Sequence, residues 1–173
     1  MIIGLTLKIL KGIWRRTSLE KYLNKEGDWE TVLDIDKLSK KENQPYVYHG
    51  CTTLNSTYNR CILSLSIGGK DATIKREFDL ESKTFIEGEK AFYYSEAKGH
   101  VVWLNENQLF VTTDFGEGSM NSSGYPRIVK LWSRGTKLTD AIKVLKLIPI
   151  SFSPKFSLLS LMISATFPSN LFW

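Results

Sequence analysis

Apolar and polar side chains alternate with a period of two along most of this chain, the spacing of strands that bury one face. In residues 60–67, Cys61, Leu63, Leu65 and Ile67 share one face, and Ile62, Ser64 and Ser66 share the other. Gly68-Gly69-Lys70-Asp71 follows; its glycines reach the positive φ that a tight hairpin needs. The return run 72–80 groups Ala72, Ile74, Phe78 and Leu80 on one side, and residues 79–85 read as a polar turn into another strand. The pattern recurs between His100 and Thr136. His100-Val101-Val102-Trp103-Leu104 leads through the polar turn 105–108 to Leu109, Val111 and Thr113 on one face, with Phe110, Thr112 and Asp114 on the other. A glycine- and serine-rich loop at 115–126 precedes Arg127-Ile128-Val129-Lys130-Leu131-Trp132. Short runs rich in Val, Ile, Thr, Phe and Trp between turn residues predict consecutive antiparallel strands.

The rest of the first half is less regular. Residues 12–19 read as a strand running into a polar corner, and 20–28 as a charged loop with a short helical turn. Residues 29–36 alternate again, with Thr31, Leu33 and Ile35 opposite Glu30, Val32, Asp34 and Asp36. Asp36 is expected to cap a short helix reaching Lys41, because its carboxylate can accept from free N–H groups. Residues 45–50 predict a brief aromatic strand ended by Gly50. Nothing carries a long helical period, so the expected class is all-β.

An internal repeat gives these strands an architecture. Arg60 to Leu65 followed by Ile74 to Phe78 parallels Leu109 to Thr113 followed by Ile128 to Trp132, and residues 13–18 form a third, partial copy. The spacing of roughly 50–60 residues is near that of propeller blades, each a four-stranded antiparallel sheet. The fold expected is therefore a partial β-propeller of about two to three blades, where closed rings hold roughly 4–8.

Composition narrows the partners. With 42% hydrophobic residues among 173, the chain packs as one globular domain rather than staying disordered. The net charge of +5 comes mostly from dispersed lysines without an arginine-rich run, so no nucleic-acid partner is expected. Cys51 and Cys61 read as reduced side chains. Residues 1–10 are apolar, but Lys8 interrupts them and no small-residue cleavage site follows, so they make a poor signal peptide. The apolar run 156–167, between Pro154 and Pro168, is shorter than the ~20 residues a helix needs to cross a bilayer. No membrane span is expected, and the compartment expected is the cytoplasm.

Candidate chemistry is sparse. Gly116-Glu117-Gly118-Ser119 has the glycines of a phosphate cradle but neither the strand-to-helix context nor the Lys-Ser/Thr ending. His49, Cys51 and Cys61 form the one conceivable metal trio, with no fourth ligand at finger-like spacing, so no metal or cofactor is expected. Trp14, Trp29, Trp103 and Trp132 are expected to pack sheets. Arg15, Arg16, Arg76 and Arg134 are expected to pair across strands with Glu30, Glu77 or Asp79.

Several longer stretches carry a family resemblance. They are Gly12-Ile13-Trp14-Arg15-Arg16-Thr17-Ser18-Leu19, residues 29–36, residues 60–66 with Gly68-Gly69-Lys70-Asp71-Ala72, residues 76–80, Glu96-Ala97-Lys98-Gly99, and Thr113-Asp114-Phe115-Gly116 through residues 123–132. Together they closely resemble the N-terminal β-propeller of the prolyl oligopeptidase family of serine peptidases, over residues 12–138. The resemblance implies a two-domain parent. There the propeller covers an α/β-hydrolase domain with a Ser-Asp-His triad and admits only short peptides. The loop 115–127 is then the candidate surface for substrate or for the hydrolase domain, with Phe115, Ser119, Ser123, Tyr125 and Arg127 as its residues.

The chain departs from the family in three places. No Gly-x-Ser-x-Gly elbow is present; Met120-Asn121-Ser122-Ser123-Gly124 lacks the first glycine and the helix that should follow. No catalytic residue is therefore assigned. Residues 1–11 match poorly, leaving residues 12–143 as the partial propeller. From residue 144 to 173 the alternation fails, and an irregular or helical apolar tail is expected, of the kind a frameshift in a longer peptidase gene produces. The chain is expected to be inactive alone. The alternatives are a subunit complementing a separately encoded hydrolase domain and an independent β-sheet binding module. Open blade edges, with unpaired N–H and C=O groups, are expected to promote self-association.

Overall fold

The computed structural model describes residues 3–6 and 9–146, with side chains from residue 12 onward. Three antiparallel sheets follow one another along the chain. The first holds β1 (Ile3–Thr6), β2 (Ile9–Arg16) and β3 (Glu30–Asp34), with β2 in the middle; α1 (Leu19–Leu23) lies between β2 and β3, and α2 (Ile35–Glu42) follows β3. The second sheet runs β4 (Tyr46–Thr53), β5 (Arg60–Ile67) and β6 (Thr73–Asp79). The outer edge of β6 is covered by two short strands, β7 (Thr84–Phe85) at one end and β8 (Tyr93–Ala97) at the other. The third is a simple meander of β9 (His100–Asn105), β10 (Gln108–Thr112), β11 (Ile128–Ser133) and β12 (Ile142–Lys146). The two copies of the repeat thus occupy equivalent places: β5 and β10 are second strands, β6 and β11 third strands. This is the all-β, partial-propeller architecture expected.

The alternation decides which face each strand buries. Cys61, Leu63 and Leu65 of β5 join Ile74 and Phe78 of β6 against Trp14, Val32, Ile35 and Leu38, forming a core between the first two sheets. Ile62, on the other face of β5, joins Phe92, Tyr94, Val101, Trp103, Leu109, Val111 and Trp132 in a second core between the second and third sheets. Phe110 and Val129 lie on the opposite face of the third sheet with Val102, Leu104 and Leu131. The middle sheet is therefore buried on both faces. Its polar set, Ser64, Ser66, Thr73, Lys75 and Glu77, is as buried as its apolar set.

Several local expectations shift. The helix begins two residues earlier than expected. Asp34, not Asp36, is its cap, its Oδ1 accepting from the Lys37 N–H at 2.9 Å. Ile35 then turns into the core together with Leu38, one helical turn on. Gly50 does not end β4. Its φ of +121° lets the strand bulge between Tyr48 and Gly50, after which pairing with β5 resumes as far as Thr53. Arg16 pairs with Glu30 across β2 and β3 as expected. Arg76 instead reaches Glu42 of α2 at 2.8 Å, and the Arg15 guanidinium lies over the Trp29 ring at 5.5 Å. The tail expected from residue 144 starts inside a strand, since β12 pairs with β11 through Lys146. Residues 147–173, the rest of that tail, lie outside the described residues.

Tyr94 is an exception to polar satisfaction. Its hydroxyl is buried and has no hydrogen-bond partner among the described residues, and burial pushes its phenol pKa upward. An unmet buried hydroxyl costs about 1–3 kcal/mol. Tyr94→Phe is therefore expected to raise the urea midpoint or leave it unchanged; a clear fall would show that the hydroxyl is engaged.

Candidate functional site

The loop between β10 and β11 is built on its own side chains. Ser119 is 1% exposed. Its Oγ accepts from the Phe115 N–H at 2.9 Å and lies 2.6 Å from Gly116 O and 3.0 Å from Asp114 Oδ1, either of which can take its single proton. Asp114 Oδ1 also accepts from the Gly116 N–H. Farther along, Asn121 Oδ1 accepts from the N–H groups of Ser123 and Tyr125, both at 2.9 Å. Arg127 donates through Nε to Gly118 O at 2.9 Å. So Ser119 and Arg127 are spent on loop shape, whereas Ser123 and Tyr125 reach solvent. Phe115 packs against the second core with the Lys130 ammonium 4.3 Å above its ring.

Ser119→Ala leaves the Phe115 N–H without its acceptor. A loss of about 1–3 kcal/mol is expected in thermal or urea unfolding. An unchanged midpoint would show that this hydroxyl does not hold the loop.

The loop also borders a cleft of about 530 Å³ between the second and third sheets. Its walls are Gly50–Thr52 of β4, Gly99 and His100–Val102, the first part of β9; Ser64, Thr73 and Lys75 also line it. Tyr125 and Pro126 of the loop close one side, with Asp71 from the β5–β6 turn and Lys98 from the β8–β9 turn. Lys75 is 6% exposed and donates from Nζ to Ser64 Oγ at 2.6 Å. The Lys98 ammonium lies 4.5 Å from the centre of the Tyr125 ring and 3.8 Å from Asp71. Gly99 sits where backbones meet: a Cβ there would stand 2.0 Å from Thr112 O.

Both histidines of the chain line this cleft. The bulge at Gly50 leaves His49 exposed. Cys51 and Cys61 lie beside each other on β4 and β5 with thiols free; the hydrogen bond to Cys51, then burial, pushes the Cys61 thiol pKa far upward, so it stays protonated. Among the described residues no group of three His, Cys, Asp or Glu side chains is placed to hold a metal ion. Of the loop residues expected from the sequence, Tyr125 alone borders the cleft. Sequence reasoning missed Lys75, Ser64 and Lys98. The one signal was that Ser64 and Lys75 fall on the polar faces of adjoining strands.

Successive antiparallel sheets stacked face to face, the second and third each opening with a strand beside the cleft, define a sector of a β-propeller. Comparison with known proteins agrees. The model of the prolyl oligopeptidase N-terminal β-propeller domain matches residues 8–148, and the chain belongs to that family. It is 39% identical over 137 residues to an uncharacterized peptidase of Sinorhizobium fredii, covering 79% of this chain and 19% of that protein. It is 32% identical over 140 residues to an uncharacterized peptidase of Rickettsia prowazekii, covering 78% of this chain and 19% of that one. Among solved structures, a post-proline cleaving enzyme from Rickettsia typhi superposes with a TM-score of 0.76 at 31% identity, over 84% of this chain and 22% of that chain. The chain thus spans about a fifth of the length of the relatives it matches. No helix among the described residues is long and apolar enough to cross a membrane.

Proposed function

We propose that these sheets are a sector of the propeller that limits access to a peptide-cleaving site, with the catalytic serine, aspartate and histidine supplied outside the residues described. The observation that carries the reading is the family match over residues 8–148. The cleft beside β4 and β9 supports it, because it lies next to the first strand of each of two neighbouring sheets. On this reading the parent hydrolyses bonds in short peptides, and the chain by itself cleaves nothing. The free thiols of Cys51 and Cys61 fit a reducing compartment, the cytoplasm.

The test has two arms. The purified chain is assayed on chromogenic peptides containing proline or arginine, and no hydrolysis is expected. Residues 8–148 are also exchanged for the matching segment of the Rickettsia typhi enzyme. The chimera is expected to cut short peptides and spare casein. Unaided cleavage by the chain, or casein hydrolysis by the chimera, overturns the proposal.

A second reading, self-association, is favoured by β12. It lies at the edge of the third sheet, every residue in it is exposed, and Ile142, Val144 and Leu145 are among them. Exposed apolar edge strands pair with one another.

A further inference from the structure

We propose that Cys51 and Cys61 form an oxidation-responsive pair, in which a peroxide oxidises the Cys51 sulfur and Cys61 then closes a disulfide between β4 and β5. These are the chain's only cysteines, and both thiols are free. The register sets them side by side. Cys51 stands opposite Leu63 and Cys61 opposite Thr53, so the two occupy a diagonal on one face of the same antiparallel ladder, within reach of each other. Their thiols are in hydrogen-bond contact. Exposure divides the roles. Cys61 is fully buried, so a dissolved oxidant does not reach it, whereas Cys51 is only partly buried, at the margin of the same core. A reachable thiol beside a sheltered one is the arrangement in which the first is oxidised and the second resolves it. The surroundings favour a disulfide over higher oxidation. Trp14, Leu63 and Phe78 share that core with the pair; a disulfide brings no charge into it, whereas a sulfinate would bring an unpaired one. The bulge between Tyr48 and Gly50 interrupts the ladder just before Cys51, which gives β4 local freedom to close the remaining gap between the sulfurs.

The Cys51 sulfur takes one peroxide oxygen as the O–O bond breaks, giving a sulfenic acid, and the other oxygen leaves as water with the thiol proton. The Cys61 sulfur then attacks the Cys51 sulfur, the S–O bond breaks, and hydroxide departs as water with the Cys61 proton. Each sulfur gives up one electron, and the peroxide is reduced to water. The new bond ties β4, whose Gly50, Cys51 and Thr52 line the cleft, to its neighbour and restrains the turn at 54–59. The full chain, reduced and freed of reductant, is treated with hydrogen peroxide and followed by intact mass and peptide mapping. Trypsin cuts after Arg60, between the two cysteines, so their peptides stay together only through the bridge. The expected product is a monomer lighter by two hydrogen atoms, with those peptides joined, and dithiothreitol restores the parent. Its urea midpoint is expected to rise, because the bridge restricts the unfolded chain. Cys61→Ala, folded by circular dichroism, is expected to halt at the Cys51 sulfenic acid, which dimedone traps. Cys51→Ser is expected to leave Cys61 unmodified. Unchanged thiols in the parent, a sulfinic acid as its only product, disulfides only between chains, or a lowered midpoint overturns the proposal. If Cys61→Ala does not fold, Cys51→Ser at the partly exposed position decides the roles: a Cys61 that still oxidises there overturns them. None of these outcomes depends on the access-limiting reading.

Discussion

Arg134→Met is expected to lower the unfolding free energy by about 3–5 kcal/mol, the cost of stranding one partner of a buried ion pair. Glu77 on β6 is fully buried, and Arg134, just beyond β11, reaches it with both terminal nitrogens at 2.8 Å. The same guanidinium donates to Glu106 O and Lys90 O and stacks over the Phe92 ring at 4.5 Å. Phe92 in turn gives its N–H to Glu77 Oε2 and sits edge-on to Trp103 and Trp132. One side chain thus joins the second sheet to the third through charge, hydrogen bonds and aromatic contact. Methionine fills part of the volume and leaves the buried carboxylate only the more distant guanidinium of Arg60, 3.9 Å from Oε1. Domains of this kind hold only about 5–15 kcal/mol in total, so the change is visible in a urea titration. Glu77→Leu with Arg134→Met should cost less than the two single changes summed, since the double variant leaves no stranded charge. Strict additivity would mean that the two residues do not act as a pair.

Trp14→Ala is expected to cost about 3–5 kcal/mol and to act on the first sheet. Trp14 on β2 is 1% exposed, with ring centroids 5.9 Å from Tyr48 and from Phe78 of the second sheet. The first sheet meets the second through this indole and Val32, and α2 adds Ile35 and Leu38 to the same core. Truncating it opens a cavity at the junction of the first two sheets, while the second core keeps its contacts. Hydrogen exchange should therefore speed up in β2 and β3 before it does in β5 and β10. Equal acceleration in all four strands would show that the sheets unfold as one unit.

Much of this was legible from alternation and repetition. Period two placed Cys61, Leu63 and Leu65 on one face and Leu109 and Val111 on another, and each set lies in a core. The spaced repeat anticipated second and third strands in equivalent positions. Alternation says which residues share a face but not what that face meets. Thr73, Lys75 and Glu77 fall opposite the apolar side of β6, yet they too are buried, because a third sheet stacks on that face. Asp34 and Asp36 carry the same cap chemistry two residues apart, and the need to bury Ile35 chose between them. Gly50 fits a stop as well as a bulge. The cleft draws on residues from separate elements, His49 of β4, Lys98 of the β8–β9 turn and Tyr125 of the β10–β11 loop, and no local pattern links those.

Glu77 and Arg134 are 57 residues apart. A ribosome releases the carboxylate first, and seconds pass before the nearer of its two cations, Arg134, emerges. Until then the growing polypeptide holds a sheet whose inner face cannot be sealed. Stalled nascent chains ending between the two positions should be cut readily by proteases within β6 and β8. Those cuts should vanish in one step once residue 134 has left the exit tunnel.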